Sequence, residues 1–242
     1  AEVRLFSVNA EGGIENLLTR TGSGHQVLWP DAIPEDSVRL FCSISAIGAT
    51  QITRLDWVTD RPPLFAPSLS VGLCTFKRES FLARTLTALI AQAEKTPAIK
   101  AIWVVNQGPA FTDPDLRALE KAPGVHFLEQ ANLGGCGGFT RSMLESISAE
   151  KPTTHHILMD DDIVLDPRML DRVVLALGYV GANIALGGQM LEIEQPLCLH
   201  EAGGRLHPLW YVESLGHGLE MDQPDGLQLF DEPLEISYNA WW

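Results

Sequence analysis

The sequence has few cations, no closely spaced cysteines and no long apolar run. Its 17 Lys and Arg residues stand against 31 Asp and Glu residues, for a formal net charge of −14 over 242 residues. The basic residues are also scattered, so the chain lacks the clustered positive surface that nucleic acid binding requires. No stretch of about 18 consecutive apolar residues occurs, and no membrane-spanning helix is therefore predicted.

The cysteines do not suggest a structural role. Cys42, Cys74, Cys136 and Cys198 are far apart and form no Cys-x-x-Cys pair. Neither a zinc site of that type nor a disulfide framework is therefore indicated. We expect reduced thiols in a cytoplasmic protein.

The first part of the chain has the two-residue alternation of half-buried strands. In SVRLFCSISAI, apolar side chains recur at every second position from Val38 to Ala46, and Leu55 and Trp57 repeat that spacing. This pattern is typical of a small antiparallel sandwich or barrel. Residues 1–64 are accordingly assigned to an N-terminal all-β sandwich domain.

The second part alternates strand and helix patterns. Three prolines in DRPPLFAPS, residues 60–68, indicate a domain boundary. Beyond it we predict an α/β domain over residues 65–242, with an open, mostly parallel, Rossmann-like sheet covered by helices on both faces. The predicted strands span residues 69–76, 99–107, 125–130 and 155–159, and the predicted helices span residues 79–95, 113–122, 138–150 and 166–177.

Two details of these helices follow from local sequence. Asp113 and Asp166 are predicted N-caps, because each precedes a proline at the first helical position. In the third helix, apolar spacing predicts a buried face. Its members are Phe139, Met143, Leu144 and Ile147.

Polar residues follow each predicted strand. They are Thr75, Lys77 and Arg78 after the first, Asn106 and Gln107 after the second, Asn132 with the glycines of NLGGCGGF after the third, and Asp160, Asp161 and Asp162 after the fourth. The carboxyl ends of parallel strands meet at one edge of a sheet, where α/β proteins bind ligands. We therefore expect these side chains to face one crevice.

A diphosphate compound held through a divalent cation fits this set of residues. An arginine such as Arg78 pairs well with phosphate oxygens, and carboxylates suit Mg²⁺ or Mn²⁺. The side-chain amides of Asn and Gln can form hydrogen bonds with the edge of a nucleobase. Two simpler interpretations stay open: the glycines form only a tight turn, and the three aspartates form only a solvated loop. The glycine-rich stretch matches neither a P-loop nor the G-x-G-x-x-G pattern of dinucleotide sites.

The motifs VGLCTFKR, VVNQG, NLGGCGGFTRSM, ILMDDDIVLDP, LGGQML and YNAWW occur in that order. Together they resemble family 2 inverting glycosyltransferases of the GT-A fold, and more narrowly the enzymes that build bacterial galactan from UDP-galactofuranose. Members of that group also carry a β-sandwich before the transferase domain. The resemblance covers nearly the whole chain.

The resemblance implies roles for individual residues. Thr75 and Arg78 would contact the nucleotide diphosphate, and Gln107 and Asn132 the uridine and sugar-phosphate side. Asp160 would contact the donor sugar or ribose, and the set Asp160, Asp161 and Asp162 would hold Mn²⁺ or Mg²⁺. Trp241 and Trp242 would stack on sugar where donor and acceptor meet.

The implied reaction is a single displacement by an acceptor hydroxyl, assisted by a carboxylate base. In the resembled enzymes the base, a metal-binding histidine and a helical region all follow the YN-x-WW segment. We therefore expect a truncated chain with an incomplete transferase domain over residues 65–242, an unidentified base, weak binding of UDP and metal, and impaired catalysis.

The expected partners are a UDP-sugar donor and a glycan or lipid-linked oligosaccharide acceptor. Nucleic acid is excluded, while peripheral association with the inner membrane face and homo-oligomerisation stay open. Two alternatives compete with galactofuranose transfer. One is a family 2 transferase with another donor, such as UDP-galactopyranose or dTDP-rhamnose, and the other is a non-catalytic carbohydrate-binding or scaffold protein.

Overall fold

A computed structural model describes residues 1–46, 48–166, 168–180 and 184–223. The chain begins with a three-stranded antiparallel sheet in the order β2-β1-β3. Its strands are β1 (Glu2–Asn9), β2 (Ile14–Thr21) and β3 (Ser37–Ser45). The turn between β1 and β2 is closed by the Asn9 side chain, which accepts hydrogen bonds from the backbone N–H groups of Glu11 and Gly13.

This sheet confirms the predicted antiparallel β-structure at the N-terminus. Leu5 is buried in it, and the rings of Phe6 and Phe41 stack with centroids 4.9 Å apart. Among the described residues before position 65 it is a single sheet, so the sandwich itself stays a prediction.

The prediction of a strand around Leu55 and Trp57 is wrong. The described residues there form no strand, and both side chains are 60% exposed. Two apolar residues at a two-residue spacing do not make a strand when no neighbouring strand pairs with their backbone.

The proline-rich segment at 60–68 runs beside the end of a later helix. Leu64 donates its backbone N–H to the carbonyl of Gly178 at 2.7 Å, and the Tyr179 hydroxyl donates to the carbonyl of Arg61 at 2.8 Å. The domain boundary in this segment stays a prediction.

A four-stranded parallel sheet forms the centre of the remaining chain. Its strands are β4 (Leu69–Thr75), β5 (Ile99–Asn106), β6 (Val125–Glu129) and β7 (His155–Asp160), in the order β6-β5-β4-β7. All neighbours are parallel, as predicted. The chain moves outward from β4 to β6 and then crosses back to place β7 on the other side of β4. Such a reversal leaves a crevice outside the carboxyl ends of β4 and β7.

Four helices connect and flank these strands: α1 (Glu79–Ala93), α2 (Pro114–Leu119), α3 (Gly134–Ser148) and α4 (Met169–Tyr179). Helix α1 buries Leu82, Leu86 and Leu89 in the core, as their helical spacing predicts. The main core is made of these leucines, the apolar residues of the parallel strands, and Leu170, Val173 and Leu177 of α4.

The predicted caps are partly confirmed. The Asp113 carboxylate accepts the backbone N–H of Asp115 at 2.8 Å and caps α2. Helix α4 begins at Met169, three residues after the predicted cap. Asp166 still accepts the backbone N–H of Arg168 at 2.7 Å, so it orders the turn that leads into the helix.

The predicted buried face of α3 is wrong at two of its four members, since Phe139 and Met143 are half-buried but Leu144 and Ile147 are not. Leu144 is 54% and Ile147 70% exposed, whereas Gly138, Ser142 and Ser146 are buried. The helix begins at Gly134, so the glycine-rich stretch is its first turn.

Small residues allow α3 to lie very close to β4. A Cβ atom on Gly138 would overlap the Cys74 sulfur, and one on Gly72 would overlap the Ser142 side chain. The helix therefore packs through small and polar side chains, which apolar periodicity does not detect.

The residues after α4 form two small antiparallel pairs. Strand β8 (Met190–Leu191) pairs with β9 (Leu199–Glu201), and β10 (Gly204–Leu206) pairs with β11 (Val212–Ser214). Across the described residues, none of the helices combines the length and apolar character needed to cross a bilayer.

Candidate nucleotide-sugar site

The acidic residues after β7 lie against the end of β4. Thr75 and Asp161 are both buried, and the Thr75 hydroxyl donates to the Asp161 carboxylate at 2.5 Å. The Thr85 hydroxyl of α1 donates to the main-chain oxygens of Asp161 at 2.9 Å and Ile163 at 3.1 Å. The parallel sheet and α1 thus fix the position of this acidic turn.

Arg78 supplies positive charge to the same turn. It lies directly before α1, and its Nη1 is 2.6 Å from Asp162 Oδ2 and 3.5 Å from Asp161 Oδ1. The Arg78 side chain is 53% exposed, so part of its guanidinium faces solvent. One arginine therefore pairs with two carboxylates and can still reach an anion in the crevice.

The carboxylates hold more negative charge than this arginine offsets. Burial, followed by repulsion from Asp162 and Asp161, raises the pKa of Asp160 to about 6 despite Arg78. Burial also raises the pKa of Asp161, against the opposing effects of its hydrogen bond from Thr75 and of Arg78. In the part of the chain that the structure describes, the Asp160 carboxylate has no hydrogen bond or ion pair. These hard oxygen donors fit a divalent cation such as Mg²⁺ or Mn²⁺.

Gln107 connects the second and third strand ends. Its Nε2 donates to the carbonyl of Gly134 at 2.9 Å and to the Cys74 sulfur at 3.1 Å. Its Oε1 accepts from the backbone N–H of Leu133 at 2.8 Å and from Gln130 Nε2 at 3.0 Å. The amide is buried and uses all four hydrogen-bonding positions within the protein. This geometry makes Gln107 a support for the glycine-rich turn, while its predicted contact with a nucleotide stays a prediction.

Asn132 also shapes that turn. It is exposed, and its Oδ1 accepts the backbone N–H of Gly134 at 3.0 Å. Gly134 has a φ of +71°, a conformation that glycine adopts without strain. The start of α3 is therefore held at the carboxyl edge of the sheet, where the unpaired N–H groups of a first helical turn favour anions.

A cleft of about 600 Å³ lies beside the end of β5. Lys77, Asn106 and Phe111 contribute to its walls, together with Glu79. The Glu79 carboxylate accepts the backbone N–H groups of Thr112 at 3.0 Å and Asp113 at 2.8 Å, which fixes the far wall. Sequence reasoning missed this role of Glu79, because an acidic residue in a first helical turn is ordinarily explained by the helix dipole.

Residues 66–196 match the family described as glycosyltransferase-like family 2. The chain belongs to this glycosyltransferase family. The match includes β4 to β7 and the acidic turn, so the family assignment covers the crevice described above. The parallel sheet and its flanking helices fit the α/β GT-A-like fold that the motifs predict.

Two curated relatives agree with this assignment. The galactofuranosyltransferase GlfT2 of Mycolicibacterium smegmatis is 25% identical over 226 residues, which cover 86% of this chain and 34% of the relative. GlfT2 of Mycobacterium tuberculosis is 28% identical over 222 residues, which cover 86% of this chain and 35% of the relative. The chain spans about a third of the length of these relatives.

The structure brings together only some of the predicted site residues of this family 2 chain. Thr75, Arg78 and the three aspartates form one connected group, while Asn132 and Gln107 belong to the neighbouring glycine-rich turn. Trp241 and Trp242 lie outside the described residues, so their contact with sugar stays a prediction.

Proposed function

We propose that this family 2 chain binds a UDP-sugar and a divalent cation in the crevice between β4 and β7, for inverting transfer of galactofuranose to a glycan acceptor. One observation carries the proposal: the acidic turn is hydrogen-bonded to the end of β4 and to Thr85 of α1, and Arg78 is paired with it. The names of the two relatives support galactofuranose as the transferred sugar.

The donor diphosphate would lie beside the acidic turn, on the exposed side of the Arg78 guanidinium. The half-exposed guanidinium presents donors to phosphate oxygens, and charged hydrogen bonds of this kind are the stronger ones. Asp162 and Asp161, with Asp160 beside them, would hold Mn²⁺ or Mg²⁺, which when bound would neutralise charge on the departing diphosphate. The nucleoside would occupy the cleft between Lys77 and Phe111.

In the proposed reaction an acceptor hydroxyl oxygen attacks the anomeric carbon of the sugar. The bond from that carbon to the diphosphate oxygen breaks with its electron pair, and the configuration inverts. The hydroxyl proton passes to a carboxylate base, which is not assigned to any described residue. Arg78 would stabilise the negative charge that develops on the diphosphate.

The proposed acceptor is a glycan or a lipid-linked oligosaccharide, as in the sequence prediction. The arrangement of the crevice favours this enzyme function over a non-catalytic scaffold. A scaffold would not need three adjacent carboxylates beside a half-exposed arginine at the same strand ends.

Calorimetric titration with UDP, with and without Mn²⁺, tests the site. We expect Mn²⁺ to strengthen UDP binding by at least about 10-fold, and Asp162→Asn to remove that gain. Asp166→Asn is the matched control, because Asp166 lies only four positions later but supports the start of α4. Equal Mn²⁺-dependent binding in Asp162→Asn and in the unaltered chain would refute the proposal.

A donor panel tests the sugar. Thermal shifts in Mn²⁺ are compared for UDP-galactofuranose, UDP-galactopyranose and dTDP-rhamnose. We expect the largest stabilisation from UDP-galactofuranose, because free energy of binding to the folded state adds to stability. A larger shift with dTDP-rhamnose would replace the proposed donor while leaving the family assignment intact.

A further inference from the structure

A second group of metal-ligating side chains lies outside the strand-end crevice. Glu192 follows β8, His200 is in β9, and His217 follows β11. One ligand atom from each of these three residues lies within 4.8 Å of the other two. They are far enough apart in the sequence that no spacing motif connects them.

Backbone pairing brings the three segments together. The backbone N–H of Glu192 donates to the carbonyl of Cys198 at 2.9 Å, which holds Glu192 against the strand that carries His200. Leu199 donates its N–H to the carbonyl of Leu219 at 2.8 Å and accepts the N–H of Gly218 at 2.8 Å. These bonds hold the segment containing His217 beside the same strand.

Hydrogen bonds also orient both imidazole rings. His217 Nδ1 is 2.8 Å from the main-chain oxygen of His200, and His200 Nδ1 is 2.6 Å from Glu192 Oε1. A carbonyl or carboxylate oxygen accepts, so Nδ1 carries the hydrogen in both rings and a neutral ring keeps its lone pair on Nε2. Histidines that bind metals are typically held by such a bond from the other ring nitrogen.

We propose that Glu192, His200 and His217 bind a first-row transition ion such as Zn²⁺. Two imidazoles and a carboxylate are ligands that suit zinc, whereas the all-carboxylate turn after β7 suits harder cations. The two sites would therefore differ in ion preference.

The arrangement needs only a small contraction to bind the ion. Zinc bonds of about 2.0–2.1 Å place tetrahedral ligand atoms roughly 3.3 Å apart, so separations within 4.8 Å must shorten by at most about 1.5 Å. The His200 and Glu192 side chains are 41% and 39% exposed, which gives them room to rotate and gives the ion access. The bound ion would join the β8–β9 pair to the segment after β11 and stabilise this region.

Titration of the purified chain with Zn²⁺ and with Co²⁺ tests the proposal. We expect one equivalent to bind with the visible absorption of low-symmetry four- or five-coordinate Co²⁺, and the melting temperature to rise with Zn²⁺ concentration. His217→Gln and Glu192→Gln should each weaken binding by at least about 10-fold. Two variants are used because one substitution alone could impair folding, which circular dichroism monitors.

Three control variants separate this site from other binding groups. His207→Gln is the matched histidine control, because His207 stacks on Tyr211 in the same region. Cys136→Ser removes an exposed thiol, and Asp162→Asn removes a ligand of the strand-end site. Binding that persists in folded His217→Gln and Glu192→Gln, or that is lost in Asp162→Asn or Cys136→Ser, overturns the proposal.

Discussion

Thr75 and Asp161 form a buried hydrogen bond of 2.5 Å between the ends of two neighbouring parallel strands. The strands themselves are paired only as far as Cys74 and Asp160. This side-chain bond therefore extends the connection between β4 and β7 beyond the last backbone pair, at the point where the crevice begins.

We expect Thr75→Val to destabilise the fold by about 1–3 kcal/mol, because a buried carboxylate would lose its hydroxyl donor while the side-chain volume stays similar. Urea denaturation measures the loss, and Mn²⁺-dependent UDP binding should weaken in parallel. Thr75→Ser should restore most of both. Thr87→Val is the control, since the Thr87 hydroxyl only donates to the Ala83 carbonyl on an exposed helix face. Equal stabilities of Thr75→Val and Thr87→Val would contradict this prediction.

Gln107→Leu should lower the free energy of unfolding by at least about 2 kcal/mol, because four hydrogen-bonding groups around the buried side chain lose their partner. Gln51→Leu, at an exposed position without regular structure, should have little effect. UDP affinity, measured where the variant is folded, separates two roles. A purely supporting Gln107 predicts a larger loss of stability than of affinity, whereas an unchanged stability with lost affinity would favour direct contact with the nucleotide.

Gly138→Ala should destabilise the protein by about 1–3 kcal/mol, since its added methyl would overlap the Cys74 sulfur and force α3 away from β4. Gly135→Ala lies in the same helical turn, where the nearest atom to an added methyl is 3.9 Å away on the Phe139 ring. That variant should be neutral or slightly more stable, because alanine favours helix more than glycine does. Thermal melts compare the two, and a harmless Gly138→Ala would disprove the close packing.

His156 should make stability depend on pH. Burial lowers the pKa of its imidazole to about 4, against 6.5 as the ordinary value. Between these values the unfolded chain binds more protons than the folded chain, so the free energy of unfolding rises with pH. The contribution is fully present above pH 6.5 and is lost as pH falls toward 4.

His156 is held between two hydroxyl groups, which explains why its burial affects stability. Its two ring nitrogens contact the hydroxyls of Ser70 at 2.7 Å and Ser142 at 2.9 Å, between β4 and α3. With allowance for the partial exposure of His156, we expect the free energy of unfolding to rise by about 2 kcal/mol between pH 4 and pH 6.5. Denaturation at several pH values measures it, and His156→Gln should flatten the profile. An unaltered profile in that variant would assign the dependence to other groups.

Sequence patterns predicted the elements with continuous apolar character and failed where polar or small residues decide the packing. The buried strand LSVGLCT and the leucines of α1 have clear periodicity, and both were predicted. Helix α3 instead buries Gly138, Ser142 and Ser146 under a polar network that includes His156. Apolar spacing therefore selected Leu144 and Ile147, which face solvent.

The residues of the candidate site likewise include some that sequence patterns predicted and some that they did not. The acidic turn was predictable because it directly follows a buried strand, and parallel topology brings strand ends together. The role of Gln107 in supporting the glycine-rich turn was not predictable, because it depends on four separate partners that come together only in the folded chain. Glu192, His200 and His217 were missed because their proximity comes from backbone pairing among short strands.

The bonds from Thr85 to Asp161 and Ile163 join the acidic turn to the same helix whose start carries Arg78. Both partners of the Arg78–Asp162 ion pair, 2.6 Å apart, are consequently held by one helix. A cation bound by Asp162 would compete with Arg78 for that carboxylate and would leave the guanidinium available to the accompanying anion.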